Sequence, residues 1–486
     1  MPWRKNPVIY EINTRLWLKD LSLQYGKPIH LGTIPLSELE KFANNGIDAI
    51  WLMGVWNRSL EGIEIAHRHP GLQEEYTRAL GTWGKKDIGA SPYAIRVYEV
   101  AQEFGNDQTL AIFRSNLLEF DIKLILDFVP NHMAIDTPFL YKHPDLFLQD
   151  TPSRAEPKDY FQRNVRGIPY TFAHGKDPYF PSWTDTVQVD YSEVSNREFM
   201  ADLMEKAASH CDGLRCDMAQ LVTPNVFKKT WGKSFDKDET FWKPAIQSIK
   251  YRRPGFVFMA EVYWGLEWEL QQEGFDFTYD KTLYDRLRYS TPDDVRGHLG
   301  ARFSYQNKLV RFIENHDETR AVKAFDNKAE AAALIASTTP GAKLFHDGQF
   351  EGKSIRLPIQ LTRKPADPVN HDIIHFYQTL LQEIKDDIYH KGDWKLLEVS
   401  SVGDDTNHNI IAYEWTMQDR NKIVAVNLGN QESHAYIRPS LPSDKNECIL
   451  VDHMTNKQYK REVSEVSAKG LFIKLAPYEA HVFDVR

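Results

Sequence analysis

The stretch Gly255-Phe256-Val257-Phe258-Met259-Ala260-Glu261-Val262-Tyr263-Trp264 decides how this chain is read. Phe256 to Ala260 form a short unbroken apolar run, the signature of a strand buried on both faces. The run leads straight into one carboxylate, Glu261. An acid at the end of a buried strand is costly unless something pairs with it or uses it. Taken alone, such an acid is more often a structural ion pair or a point where the chain meets water than a functional group. The same pattern recurs three times, and recurrence shifts that balance.

The recurrences are Leu124-Ile125-Leu126-Asp127-Phe128-Val129-Pro130-Asn131-His132, Gly213-Leu214-Arg215-Cys216-Asp217 and Phe312-Ile313-Glu314-Asn315-His316-Asp317. Working outward from them, strand-like runs fall at residues 7–12, 47–53, 122–129, 213–218, 256–262, weakly at 275–279, then at 308–313 and 342–345. Amphipathic helices alternate with them, including 107–120, 196–210 and 372–384; Ser37-Glu38-Leu39-Glu40 reads as a capping box, with Gly46 as a helix stop. Strand and helix in alternation imply an α/β fold with a parallel sheet, and eight units favour a closed (β/α)8 TIM barrel. The barrel is expected over residues 1–132 and 195–386, interrupted after strand three by an insertion at 133–194 that is too long for an ordinary loop. Beyond residue 387 the pattern becomes short strands separated by Gly, Asn, Pro and Asp with no intervening helix, so 387–486 is expected to be an antiparallel β-sandwich domain.

Composition narrows the function classes. A net charge of -9 opposes a nucleic-acid partner, which selects a basic surface. No window approaches the roughly 20 apolar residues of a membrane span, and the first residues lack a secretory apolar stretch, so a cytoplasmic protein is expected. Three cysteines give neither a disulfide framework nor a metal spacing; Cys211 and Cys216 read as small core residues of an apolar strand. The 12% aromatic content leans toward a sugar ligand, because flat rings stack on sugar faces.

In a barrel, reacting groups sit where strands end, and the four acids fall at such ends. Arg215 and Asp217, two apart, share a face. The guanidinium is expected to lower the pKa of Asp217 and keep it anionic, as a nucleophile requires. Glu261 follows an apolar run and is expected to stay protonated by desolvation, as a general acid requires. Two carboxyl groups tuned apart and roughly 5–5.5 Å from each other are what retaining glycoside hydrolysis needs. Asp317 is placed to hold sugar hydroxyls. His132 and His316 suit hydroxyl recognition better than metal binding, since neither has a second His or Cys at ligand spacing.

These four segments together, in order and on successive strands, resemble the four sequence regions of the α-amylase family, glycoside hydrolase family 13. The resemblance implies Asp217 as nucleophile, Glu261 as acid/base, Asp317 as transition-state stabiliser and Arg215 as the group orienting Asp217. It implies Asp127, His132 and His316 as sugar-binding groups, with either Tyr93 or Tyr98 stacking on the same sugar. Gln188-Val189-Asp190-Tyr191 resembles a further family motif at the end of the inserted B domain. One departure stands out: where many α-amylases carry a Lys-His pair after the nucleophile, this chain has Gln220-Leu221. That weakens the usual calcium site although Asp127, Asn131 and Asp190 are present, so no cofactor and no metal is expected. The long stretch 57–86 is expected to wall the cleft, and Trp183, Tyr263 and Trp264 fall near its rim, as stacking platforms or as packing. The leading expectation is a retaining enzyme cleaving α-glucosidic, foremost α-1,4, bonds of malto-oligosaccharides or related α-glucans. A transglycosylase of the same family, and an inactive sugar-binding protein on the same fold, are the alternatives.

Overall fold

The structure is a computed structural model that describes residues 2–150, 158–233, 235, 240–441 and 446–486. Eight parallel strands close into a barrel: β1 (Val8–Asn13), β2 (Ala49–Met53), β3 (Lys123–Phe128), β4 (Gly213–Cys216), β5 (Val257–Ala260), β6 (Phe277–Tyr279), β7 (Leu309–Arg311) and β8 (Ala342–His346). Each pairs with its neighbours in sequence, and β8 closes on β1 with Val8 opposite Lys343 and Glu11 opposite His346. β1, β2, β3, β4 and β5 are buried along their whole length, which explains why their sequences are near-continuous apolar runs rather than alternating ones.

Strands β2 to β7 are shorter than the apolar runs that mark them. The run around 256–262 contributes only Val257–Ala260 to the sheet, so Glu261 and Val262 stand past its end. Asp217 likewise follows the last residue of β4. Cys211 precedes that strand instead of lying in it, and both it and Cys216 are buried free thiols. The expected capping box fails: the helix Leu36–Asn44 begins one residue before Ser37, and Pro35 at its N-cap makes no side-chain hydrogen bond. Gly46, with φ +74°, does sit just beyond that helix's end.

Three long excursions build the rim. After β2, helices Glu61–Arg68 and Pro70–Leu80 precede a strand at Ile95–Val100. After β3, His132–Ala134 pairs with Thr186–Gln188, and Tyr160–Val165 forms a hairpin with Ile168–Ala173. After β8, Leu361 bridges Ile88 and packs with Ala66, Tyr76 and Ala79 in a small apolar core that joins the first and third excursions.

Beyond the barrel helix His371–Ile384, a six-stranded and a three-stranded antiparallel sheet face each other across a second apolar core that includes Ile410, Ile423, Ile437 and Ile473. Among the described residues, the short 3-10 helix Thr406–Asn409 and the α-helix Val463–Lys469 interrupt the expected all-strand pattern. The α-helix has two apolar residues facing that core, Val463 and Val466, too few to show a helical period in the sequence. Trp415 Nε1 donates to Thr338 O at 2.7 Å, tying the larger sheet to the barrel. No helix among the described residues is long and apolar enough to cross a membrane.

Candidate active site

The C-terminal ends of β3, β4, β5 and β7 converge on a cleft of about 730 Å³ whose lining includes Asp217, Glu261 and Asp317. One guanidinium organises it. Arg215, with no exposed surface, places Nη1 2.7 Å from Asp217 Oδ1 and Nη2 2.8 Å from Glu261 Oε2. Its third carboxylate neighbour is Asp127 at 3.7 Å. The rings of Trp51 and Tyr93 lie 4.9 and 5.2 Å from the guanidinium carbon, closing off water.

This arrangement revises the electrostatics expected from sequence. Burial, followed by the charge of Glu261, pushes the Asp217 carboxyl well above the ordinary range, although Arg215 pulls it down. Glu261 is not in an apolar setting: besides Arg215, the Met218 N–H donates to its Oε2 at 2.7 Å and Tyr263 OH to its Oε1 at 2.8 Å. The strand-neighbour rule correctly put Arg215 beside Asp217, but sequence could not show that the other arm of the guanidinium reaches across to β5. Asp317 is 43% exposed to the cleft. Partial burial acts upward on it, but His316 and then Arg215 outweigh that and hold it below the usual carboxylate range. Burial opposes protonation of His316, yet Asp317 and Glu11 raise it well above an ordinary histidine, so it is an imidazolium.

The remaining expected residues separate into two groups. His132 and Tyr93 line the cleft. Burial lowers His132 to about 3, so it is a neutral imidazole suited to hydroxyls. Tyr93 stacks on His316 with ring centres 5.4 Å apart, its OH 2.8 Å from Nε2. Tyr98 is not at the cleft: it is buried under Val129, its hydroxyl donating to the Val129 carbonyl at 3.2 Å and accepting from the Val129 N–H at 2.9 Å. Asp127 is also withdrawn, because Trp51 Nε1 and the Gly54 N–H already donate to its two oxygens, at 3.1 and 3.0 Å. Gly54 has φ +75°, and a Cβ there would meet Pro92 at 2.6 Å, so a side chain would disrupt this seat. His316 lies one layer back, bonded to Glu11 and Asp317.

The profile of the α-amylase catalytic domain matches residues 36–354, more than half of the chain. The chain belongs to the α-amylase family. It is 24% identical over 448 residues to α-amylase MalA of Haloarcula japonica, covering 88% of this chain and 56% of that relative. The chain thus spans about half the length of that relative. Among solved structures, a maltogenic α-amylase of Thermotoga neapolitana aligns with a TM-score of 0.70 at 22% identity, over 99% of this chain and 98% of that one. An α-amylase of Geobacillus thermoleovorans, solved with acarbose, aligns with a TM-score of 0.69 at 17% identity over 100% and 99%.

For an α-amylase family member, the residues at the usual calcium position fit a divalent cation poorly. Asp190 Oδ2 is 2.5 Å from the Lys233 ammonium, and its Oδ1 accepts from Ser192 N and Oγ. Asn131 Oδ1 accepts from Gln188 Nε2 at 3.0 Å. No group of three His, Cys, Asp or Glu able to hold a metal occurs among the described residues.

Sequence reading missed two contributions to the site. Glu11, fully buried in β1, seats His316; an acid inside the run Val8-Ile9-Tyr10-Glu11-Ile12 was the same cue that exposed Glu261. Gln360 and Ile359, in the long segment after β8, line the cleft but carry no local pattern. Of the rim aromatics, Trp183 lines the cleft 5.1 Å from His132, Tyr263 bonds Glu261, and Trp264 packs edge-on to Tyr179 at 4.9 Å.

Proposed function

We propose that this protein is a retaining glycoside hydrolase that cleaves α-glucosidic bonds, foremost α-1,4 bonds, of malto-oligosaccharides and related α-glucans. The observation that carries the reading is the single guanidinium shared by Asp217 and Glu261. A guanidinium that holds one carboxyl on each arm keeps the two acids near each other, and this supports the short separation that a double-displacement site requires. In this reading Asp217 Oδ attacks the anomeric carbon while Glu261 gives its proton to the departing glycosidic oxygen, leaving a glycosyl ester on Asp217. Glu261, now a carboxylate, takes a proton from water as that water's oxygen bonds the anomeric carbon and Asp217 departs. The chemistry needs the proton on Glu261 and the negative charge on Asp217; the 2.7 Å contact from Arg215 stabilises the Asp217 carboxylate, while burial of Asp217 and the 2.8 Å contact of the same guanidinium with Glu261 act the other way.

Asp317, held anionic by His316 and Arg215, is placed to accept hydroxyl hydrogen bonds that tighten as the ring flattens. Tyr93 and neutral His132 complete the cradle for one sugar ring. The division into a barrel at 1–132 and 195–386, an inserted domain at 133–194 and a β domain at 387–486 belongs to the same reading, as does operation without a metal. The test is maltoheptaose hydrolysis followed by NMR and chromatography. Initial α-anomeric products are expected, with Asp217→Ala reducing the rate at least about 10⁴-fold. Initial β-anomers, or substantial activity in Asp217→Ala, would refute the mechanism; products longer than the substrate would identify a transferase.

A further inference from the structure

Position around a closed barrel carries direction. In the eight-stranded order, β5 lies across from β1, with three strands between them on either side. Glu261 follows β5, so in the proposed reaction the departing sugar lies toward that side, where the aromatics Trp264 and Tyr179 also sit at the rim. The glycone side of the bond then faces the opposite rim, which is built by the segments following β2 and β8, the two neighbours of β1.

Those two segments do not merely approach each other. The Gly89 N–H donates to Gln360 O at 2.7 Å and the Thr362 N–H to Asp87 O at 2.9 Å. Arg363 Nε donates to Asp87 Oδ1 at 2.9 Å. Leu361 is buried in the small apolar core shared with both post-β2 helices. Backbone bonds, an ion pair and a dry core together make a fixed wall, not a flap.

Two features of this wall have no structural use. Gln360 lines the cleft and is only 8% exposed, yet its Oε1 accepts no hydrogen bond. A buried amide oxygen left open is costly, and a ligand hydroxyl would satisfy it. Glu75 also lines the cleft, and its Oε2 lies 3.3 Å from Arg356 Nη1, with the two side chains 30% and 40% exposed. An ion pair this exposed adds little to folding. It does place a carboxylate and a guanidinium, donor and acceptor together, beyond the sugar cradle. The charge of Arg356 also reaches Asp317.

We infer that Glu75, Arg356 and Gln360 are specificity-determining residues that recognise the hydroxyls of the terminal, non-reducing glucose, so that the enzyme attacks α-glucan chains from their non-reducing ends and not internally. Glu75 and Gln360 accept hydrogen bonds from terminal hydroxyls while Arg356 donates hydrogen bonds to their oxygens. A chain continuing past that unit would have to break through the Glu75–Arg356 pair. The inference rests on the hydrolase reading above, and the experiment separates the two.

The probes are p-nitrophenyl α-maltoheptaoside with its terminal glucose free, and the same compound with that glucose blocked as a 4,6-O-ethylidene acetal; products are resolved by chromatography. The wild-type protein should cleave the free substrate and cleave the blocked one at least tenfold more slowly. Glu75→Ala and Arg356→Ala, assayed on both, should raise the blocked-to-free ratio several-fold. Equal wild-type rates on the two substrates would overturn the inference while leaving the hydrolase reading intact, and so would an unchanged ratio in both variants. Inertness toward both substrates would overturn the proposed function, and the end-wall role with it.

Discussion

Arg215 sets the chemistry of the site through two contacts on opposite arms, 2.7 Å to Asp217 and 2.8 Å to Glu261. Because the two acids are pinned together, each feels the other: the charge of Glu261 is the largest influence raising Asp217 after burial itself. This gives a signed pH prediction. In the proposed mechanism Asp217 must be ionised to attack, so activity should fall as pH drops through its pKa. Glu261→Gln fixes at position 261 the neutral state that the first step already requires, so the acid limb should stay in place. The variant should lose about 10²–10⁴-fold on maltoheptaose, where the leaving oxygen needs a proton, and much less on α-glucosyl fluoride, where it does not. The fluoride also provides the pH profile. An acid limb displaced by the substitution, or equal loss on both substrates, would count against the assignment.

At the scale of elements, a strand end places an acid at the rim but does not say what the acid does there. Asp280, immediately after β6, is an instructive contrast to Glu261. It is 1% exposed and pairs with Arg311 at the end of β7 and with His298 at 3.0 Å, so its role is to lock two strands and a helix together. Burial acts upward on it, but Arg311 and His298 hold its pKa down to about 2. A depressed carboxylate pKa contributes stability that is fully present above the unfolded value near 4 and is lost as pH falls toward 2. Asp280→Asn should therefore destabilise the fold by about 3–5 kcal/mol at neutral pH by stranding a buried Arg311. In denaturant titrations the gap between wild type and variant should be constant from pH 7 to 5 and shrink below pH 4. A gap that stays constant to pH 3 would show that the pair does not supply it.

At the scale of the molecule, the question is what fastens the long post-β3 insertion to the barrel. Side chains already do so: Lys233 reaches Asp190, and Gln188 reaches both the carbonyl and the side chain of Asn131. An ammonium within 2.5 Å of Asp190 supplies the positive charge that a divalent ion would otherwise bring. Excess EDTA should accordingly leave both melting temperature and maltoheptaose hydrolysis unchanged. A drop of several degrees on chelation, restored by calcium, would reveal a metal that these donors do not suggest.

Much of the fold was legible because buried parallel strands leave unbroken apolar runs and helices leave a 3.6-residue period, so β1 to β8 could be placed in order without coordinates. The strand-end acids Asp217, Glu261 and Asp317 were legible for the same reason, since each interrupts or follows such a run. Three things were decided only by the tertiary structure. Of the two tyrosines, Tyr93 faces the cleft and Tyr98 the core, because Tyr93 sits in the turn before the strand Ile95–Val100, with its ring against His316, and Tyr98 sits within that strand, under Val129. Arg215 serves Glu261 as well as Asp217, a pairing between β4 and β5 that spans 46 residues of chain. Glu75, Arg356 and Gln360 meet across nearly 300 residues in a wall that no local pattern announces. Periodicity records which residues are buried; it cannot record which distant segments the closure of the barrel brings face to face.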